Sequence, residues 1–349
     1  MTLHSLPLHS ALPDRIADTE QLEEVLSRPD EALKRDLAAS DGDILVLGVA
    51  GKMGPTLARM AKRAAPDRNV IGVARFSEPE MQEKLEGWGV ETIRCDLMNR
   101  DALTLLPKAK NVIFMAGRKF GSNGDQPLTW AMNTFLPGMV AETFRESRIV
   151  AFSTGCVYPF VGLETMGASE DMPPDPPGEY ANSCVGRERM FQHFSAQYGT
   201  PGRLFRLNYA IDLRYGVLFD IASKVRDGTP VDLSTGHVNV IWQGDANRYA
   251  LRCLAHATTP TSPINISGPE TLSVKALAEA FGQRLGKAPL FTGQPAPTAW
   301  LTNTAEAMKL FGYPGVSVAT MLDWVADLVG RDMPSLGKPT KFESRDGRY

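Results

Sequence analysis

The sequence predicts an α/β fold, a doubly wound parallel sheet followed by a smaller C-terminal lobe, and three observations carry that expectation. Six short apolar runs recur at Ile44–Leu47, Val70–Ala74, Thr92–Cys95, Val112–Met115, Ile149–Phe152 and Leu204–Leu207. The intervals between them are long enough for helices, and strand alternating with helix implies parallel strands covered on both faces. After about residue 210 this rhythm loosens into Pro- and Gly-punctuated pieces, with helical stretches near Ser273–Gly286 and Ala319–Leu328. Crossovers should be right-handed, which puts a ligand crevice at the carboxyl ends of the strands, where the strand order reverses.

Four segments follow from this pattern: an N-terminal helical arm over residues 1–41, the sheet domain over 42–210, the lobe over 211–335 with some elements returning to the sheet, and a tail over 336–349. The arm carries a charged, helix-like stretch from Thr19 and is expected to pack on the domain or on a neighbouring subunit. With 43% hydrophobic and 22% charged residues and no long apolar run, the 349-residue chain predicts a soluble protein without a membrane span. Its start lacks a basic segment followed by an apolar core, so a cytoplasmic protein is expected. A net charge of -3 without a Lys/Arg cluster offers no footprint for nucleic acid. Cys95, Cys156, Cys184 and Cys253 are widely spaced and suggest neither a disulfide framework nor a zinc knuckle. No His, Cys and carboxylate set has metal-ligand spacing, so no metal is expected.

The first apolar run leads into Gly48-Val49-Ala50-Gly51-Lys52-Met53-Gly54, then a helix beginning at Pro55. Glycines at this spacing between a strand and a helix permit a tight turn, let backbone N–H groups approach a pyrophosphate, and set the positive helix end on the phosphates. The expectation is a Rossmann-type dinucleotide site. An acid about 20 residues on would select NAD through the ribose 2′-hydroxyl. The sequence instead reads Ala74-Arg75-Phe76-Ser77, and a guanidinium suits a 2′-phosphate. NADP is therefore favoured over NAD, with Lys52 a candidate second cation. Asp96, followed by Leu97, either meets the adenine amino group or caps the helix beginning near Arg100. Met115, Ala116 and Gly117 either let the nicotinamide half pass close over backbone or serve packing.

These glycines, together with Phe152-Ser-Thr-Gly-Cys-Val-Tyr158, Glu179-Tyr-Ala-Asn-Ser183, Arg206-Leu-Asn208 and Ile264-Asn-Ile-Ser-Gly268, resemble the extended short-chain dehydrogenase/reductase family. More narrowly, the chain resembles its NAD(P)-dependent sugar epimerase/dehydratase branch over about residues 42–330. The resemblance implies hydride transfer on a sugar or sugar derivative, often as one step of epimerisation or dehydration, by a homodimer joined through two helices per subunit. Carried over, Tyr180 matches the acid/base tyrosine, Thr154 the hydroxyl that holds the reacting oxygen, and Asn133 a helix asparagine near the cofactor. A phenol that exchanges a proton and a hydroxyl that orients the substrate form a coherent chemical pair.

One departure matters. The family pattern is Tyr-x-x-x-Lys, and here the sequence reads Tyr180-Ala-Asn-Ser-Cys184. The lysine would hold the nicotinamide ribose and lower the phenol pKa from its unperturbed value of about 10; a thiol does neither. Lys119 is the first candidate for a replacement cation, ahead of Arg118 and Arg187. Two other readings are a tyrosine that acts only as a proton donor, and a non-catalytic dinucleotide sensor or structural protein. On the substrate side, Cys156, Asn208, Arg214 with Tyr215, and Trp242 offer thiol, amide, guanidinium and rings for a polyhydroxylated ligand. Trp242 and Asn239 could equally be packing residues, Asp245 is read as a helix N-cap, and His193 as a packing histidine. The glycine-containing loop after Lys119 could act as a lid.

Overall fold

The computed structural model describes residues 12–119, 121, 124–338 and 340–347. Seven strands form one all-parallel sheet: β1 (Ile44–Leu47), β2 (Val70–Ala74), β3 (Glu91–Arg94), β4 (Asn111–Phe114), β5 (Arg148–Thr154), β6 (Gly202–Leu207) and β7 (Ser262–Ile266), in the order β7-β6-β5-β4-β1-β2-β3. The order reverses between β1 and β4, which opens the crevice the sequence anticipates.

Alternation along β1 explains the layering. Ile44 and Val46 pack on one face with Leu57, Ala58 and Ala61 of helix α3 (Gly54–Ala64), and Leu45 and Leu47 on the other with Leu136, Val140 and Phe191. Both sets are buried, so the strand reads as an unbroken apolar run. Helix α3 follows the glycine turn with Pro55 in its first turn, where a missing N–H costs nothing.

The sheet has one strand more than the six the sequence suggested. β7 comes from beyond residue 210 and pairs with β6 in the register Ile264↔Phe205. Pro263 obscures it in the sequence; at a sheet edge that proline is tolerated because no inner neighbour needs its N–H. The sheet domain is thus not one continuous stretch.

The arm holds two helices, α1 (Thr19–Leu26) and α2 (Glu31–Ala38), each capped by an aspartate: Asp18 Oδ1 accepts from Gln21 N at 2.8 Å and Asp30 Oδ1 from Leu33 N at 2.7 Å. Leu33 and Leu37 join the sheet-domain core, and Leu22, Val25 and Leu26 the core of the lobe. No helix among the described residues is long and apolar enough to cross a membrane.

Candidate functional site

Two cavities lie at the carboxyl ends of the strands. The larger, ≈ 590 Å³, is walled by the glycine turn after β1, residues 74–78 after β2, Cys95 to Met98 after β3 and Met115 to Gly117 after β4. The smaller, ≈ 190 Å³, lies beyond the turn and is lined by Lys52, Lys119, Thr154, Tyr180, Asn208 and Tyr215 among others.

The three glycines differ in what demands them. Gly48 has φ +87°, and a Cβ there would come within 2.7 Å of the Ala116 nitrogen. A Cβ on Gly54 would overlap the Val49 carbonyl. Both are required by the protein's own packing. A Cβ on Gly51 would meet nothing nearer than the Gly48 oxygen at 3.5 Å, yet Gly51 lines the larger cavity. A bare backbone facing an open cavity in front of a helix N-terminus suits a pyrophosphate, so the residues present fit a dinucleotide.

At the end of β2, Arg75 is exposed and lines the larger cavity, while Phe76, buried with φ 47°, turns the chain inward. Asp96 lies on the same cavity and accepts from Met98 N at 3.0 Å. It does not cap the following helix α4 (Arg100–Leu105); Asn99 does, accepting from Ala102 N at 3.1 Å. Leu97, Met115, Ala116 and Gly117 also wall this cavity. A Cβ at Gly117 would run into the Arg187 guanidinium, which would have to shift to admit it.

Several expected ligand contacts are redirected. Lys52 does not face the Arg75 end of the crevice: its Nζ donates to Ala210 O at 2.9 Å and lies 4.4 Å from the centre of the Tyr215 ring, in the smaller cavity. Met53, next to it, lines that cavity too. Asn133 sits in a π-helical turn (Ala131–Phe135) between helices α5 (Gln126–Trp130) and α6 (Leu136–Thr143). It is fully buried and its amide is taken up by protein: it accepts from Arg118 N and Arg187 Nη2, both at 2.8 Å, and donates to Arg118 O and Ser183 Oγ. It therefore positions the loop after β4 and touches neither cavity. The Arg214 guanidinium is paired with Asp212 (2.8 and 3.0 Å) and Glu23 (3.4 Å). Trp242 is 2% exposed and packs edge-on to Trp324 inside the lobe, which removes it from the ligand. Asp245 lies inside helix α8 (Gln243–Arg252), not at its cap; it pairs with Arg248 and accepts from Val316 N at 3.0 Å. His193 is exposed, edge-on to Phe194. Of the expected lid, Phe120, Ser122 and Asn123 lie outside the described residues.

The smaller cavity gathers the chemistry. Helix α7 (Glu179–Tyr198) aligns Tyr180, Cys184 and Arg187 at spacings of four and three residues on one face. The Tyr180 hydroxyl and Cys184 thiol are hydrogen-bonded to each other. Burial, with Cys184 and Cys156 adding to it, pushes the phenol pKa well above its ordinary value; the Arg187 charge opposes this. The Lys119 Nζ lies 5.9 Å from the centre of the Tyr180 ring, and burial lowers its pKa. Thr154 ends β5, and its Oγ1 accepts from Cys156 N at 3.1 Å, leaving the hydroxyl proton to donate elsewhere. Asn208 donates to Trp300 O at 3.2 Å and lines the wall. Beneath lies a buried network in which Arg206 pairs with Glu188 (2.7 and 2.9 Å) and Ser153 donates to Glu188 at 2.6 Å. With its charges mutually satisfied, it fixes β5, β6 and α7 relative to one another.

Sequence reasoning missed Tyr209, whose φ of 44° follows Asn208, and Thr340, which the tail delivers to the cavity. Tyr209 directly follows the Arg206-Leu-Asn208 motif, which was a usable signal; nothing near Thr340 provided one.

Residues 44–216 match the model of the NAD dependent epimerase/dehydratase family. No curated protein matches the sequence. Among solved structures the chain is similar to the UDP-glucose 4-epimerase of Thermus thermophilus in complex with NAD, at 21% identity and TM-score 0.67, over 82% of this chain and 98% of that one. It is also similar to the UDP-glucuronic acid 4-epimerase of Bacillus cereus in complex with UDP-glucuronic acid and NAD, at 20% identity and TM-score 0.68, over 83% and 99%. Pal from Bacillus thuringiensis aligns at 18% identity and TM-score 0.69, over 83% and 99%. At these identities the likeness establishes a shared fold.

Proposed function

Since the chain belongs, through residues 44–216, to the NAD dependent epimerase/dehydratase family, we propose that it is an enzyme that transfers hydride between a nicotinamide cofactor and a sugar-type substrate. The observation that carries this reading is the convergence of Tyr180, Thr154 and Lys119 on one cavity beside the dinucleotide crevice. The cofactor supplies or accepts the hydride. Thr154 holds the reacting oxygen, and Tyr180 exchanges the proton with it.

Burial keeps the Tyr180 phenol protonated near neutral pH, so in the reductive direction it holds the proton that the carbonyl oxygen would take, and in the oxidative direction it must first lose it. Lys119, together with Arg187, stands in for the lysine that Cys184 replaces. NADP is preferred through Arg75, whose guanidinium lines the crevice where no acid follows β2. A homodimer is supported by exposed Trp130 and Phe135 near α6 and α7, and a reducing, cytoplasmic setting by four buried cysteines without a disulfide.

A second reading, a dinucleotide sensor without turnover, is favoured by the bond between Tyr180 and Cys184, which occupies the phenol proton. One experiment separates them. With NADPH and a panel of keto-sugars, Tyr180→Phe should lower turnover by about 10²- to 10⁴-fold while cofactor affinity is kept. No absorbance change with any substrate, together with different partner affinity for oxidised and reduced cofactor, would favour the sensor.

A further inference from the structure

The hydroxyls that the described residues bring to the smaller cavity fall into two groups. In the first, each is engaged with the protein: Ser153 donates to Glu188 at 2.6 Å, Thr154 accepts from Cys156 N at 3.1 Å, Tyr180 is bonded to the Cys184 thiol, and Thr340 donates to Asp220 at 2.5 Å. In the second are Tyr209 and Tyr215, whose hydroxyls are hydrogen-bonded to no other described residue. Both tyrosines are half-buried, Tyr209 against the core of the lobe. A hydroxyl withdrawn from water gains by finding a partner, and a site built with spare donors discriminates against ligands that cannot use them.

Tyr209 is distinguished also by its backbone. Its φ of 44° lies in the left-handed region, which a bulky residue rarely adopts. Hydrogen bonds on either side hold it there: Asn208 N donates to Ile266 O at 2.9 Å, and Tyr209 O accepts from Ile241 N at 3.2 Å. Strain of this kind collects at functional sites, where it aims a side chain. The Tyr209 phenol shares a neighbour with the reacting pair, since Cys156 is within electrostatic reach of both Tyr180 and Tyr209. Tyr215, within reach of Tyr209, enters from the following loop, and Lys52 Nζ lies 4.4 Å from its ring centre. Burial holds both phenols protonated, Tyr209 well above its ordinary value and Tyr215 pushed up to about 12, so each is a neutral donor near neutral pH. Two neutral donors carried on aromatic rings fit a sugar, which offers C–H faces to rings and oxygens to donors.

Resting on the proposed hydride-transfer reading, we propose that Tyr209 and Tyr215 are specificity residues, each donating a hydrogen bond to a different hydroxyl of the sugar part of the substrate. Thr154 and Tyr180 handle the reacting oxygen, and the two further phenols read the pattern of hydroxyls away from it.

Calorimetric titration of the NADP-saturated protein tests this, with glucose, UDP-glucose and the monodeoxy analogues of whichever binds tighter as probes. In the unaltered protein, loss of a contacted hydroxyl should weaken binding at least about tenfold. Tyr209→Phe should weaken the fully hydroxylated parent by about tenfold and bind one monodeoxy analogue within about twofold of the parent, because the missing donor and the missing hydroxyl belong to one contact. Tyr215→Phe should do the same for a hydroxyl at a different position. Phenylalanine keeps the ring and its packing, so Tm should stay within about 2 °C in both variants. Both phenols lie off the larger cavity, and NADP affinity should change by no more than about twofold.

Three results would overturn the assignment: no binding of either sugar, unchanged binding of the parent by either variant, or a loss that is equal for the parent and every analogue, which marks a structural role. Binding needs no turnover. A position-selective loss without any hydride transfer to a keto-sugar would therefore defeat the functional reading and leave the two tyrosines standing as sugar ligands.

Discussion

The larger cavity follows the ends of four strands, with Met81, Leu128 and Met132 adding side chains, whereas the smaller draws polar side chains from separate parts of the chain. Gly48, Gly51, Ala116 and Gly117 bring backbone to the first; Lys52, Lys119, Tyr180, Tyr215 and Thr340 bring side chains to the second. Each contains one non-glycine residue at positive φ, Phe76 and Tyr209 respectively. A backbone-shaped site accepts a ligand common to many enzymes, and a side-chain-shaped site decides which reaction and which substrate follow. Here the second site carries Cys184 one helical turn after Tyr180, where the pattern that the sequence resembles has a lysine, and it receives the Lys52 side chain from the glycine turn.

The sharpest way to break this contrast lies within the glycine turn. Gly54→Ala should lower Tm by at least about 5 °C, because the new methyl overlaps the Val49 carbonyl. Gly51→Ala should leave Tm nearly unchanged and still weaken cofactor binding about tenfold or more, since only the ligand needs that space. Equal losses of Tm in both variants, measured by thermal melting, would mean that the turn is not built around a ligand.

Cys184→Lys tests the second site by restoring the family spacing. The added charge should lower the Tyr180 pKa, so that carbinol oxidation, followed by nicotinamide absorbance, reaches half its maximum at least about one pH unit lower. In the unaltered protein the sign is opposite: the phenol remains protonated, so ketone reduction should stay flat from about pH 6 to 9 while oxidation climbs with pH. A reduction rate that falls across that range would mean that the acid titrates within it and that the Tyr180 phenol is not held protonated by burial.

Smaller effects are expected at the rim. Arg75→Ala should weaken NADP by about tenfold and leave NAD within about twofold, because an exposed guanidinium gains only a screened, charge-assisted contact. If NAD binds more tightly than NADP to the unaltered protein, the preference argued from Arg75 fails.

The strand-end part of the larger cavity's wall was legible in advance, whereas Met81, Leu128 and Met132 were not. Strand ends, glycines and small residues act through backbone geometry, which follows from residue type and spacing. The smaller cavity was legible only where a motif fixed a position on an element, as for Tyr180 on α7 and Thr154 at the end of β5. Side chains with several rotatable bonds escaped. Lys52 sits in the best-read motif of the chain, but which cavity it enters depends on Ala210 and Tyr215, more than 150 residues away. Asn133, Arg214 and Trp242 were credible ligand groups by type, and each was claimed by a protein partner: Arg118 with Arg187, Asp212, and Trp324.

By itself the sequence determined the parallel sheet, the crevice at its carboxyl edge and the place of Tyr180 on its helix, because apolar runs, glycine turns and helical spacing are local properties of the chain. Only the tertiary structure decided that β7 completes the sheet, that the tail, tied down by a Lys224–Glu343 ion pair, brings Thr340 to the smaller cavity and that the Arg214 guanidinium turns to Asp212. Those outcomes depend on which distant charges pair with one another, and pairing in a buried site is settled by three-dimensional packing.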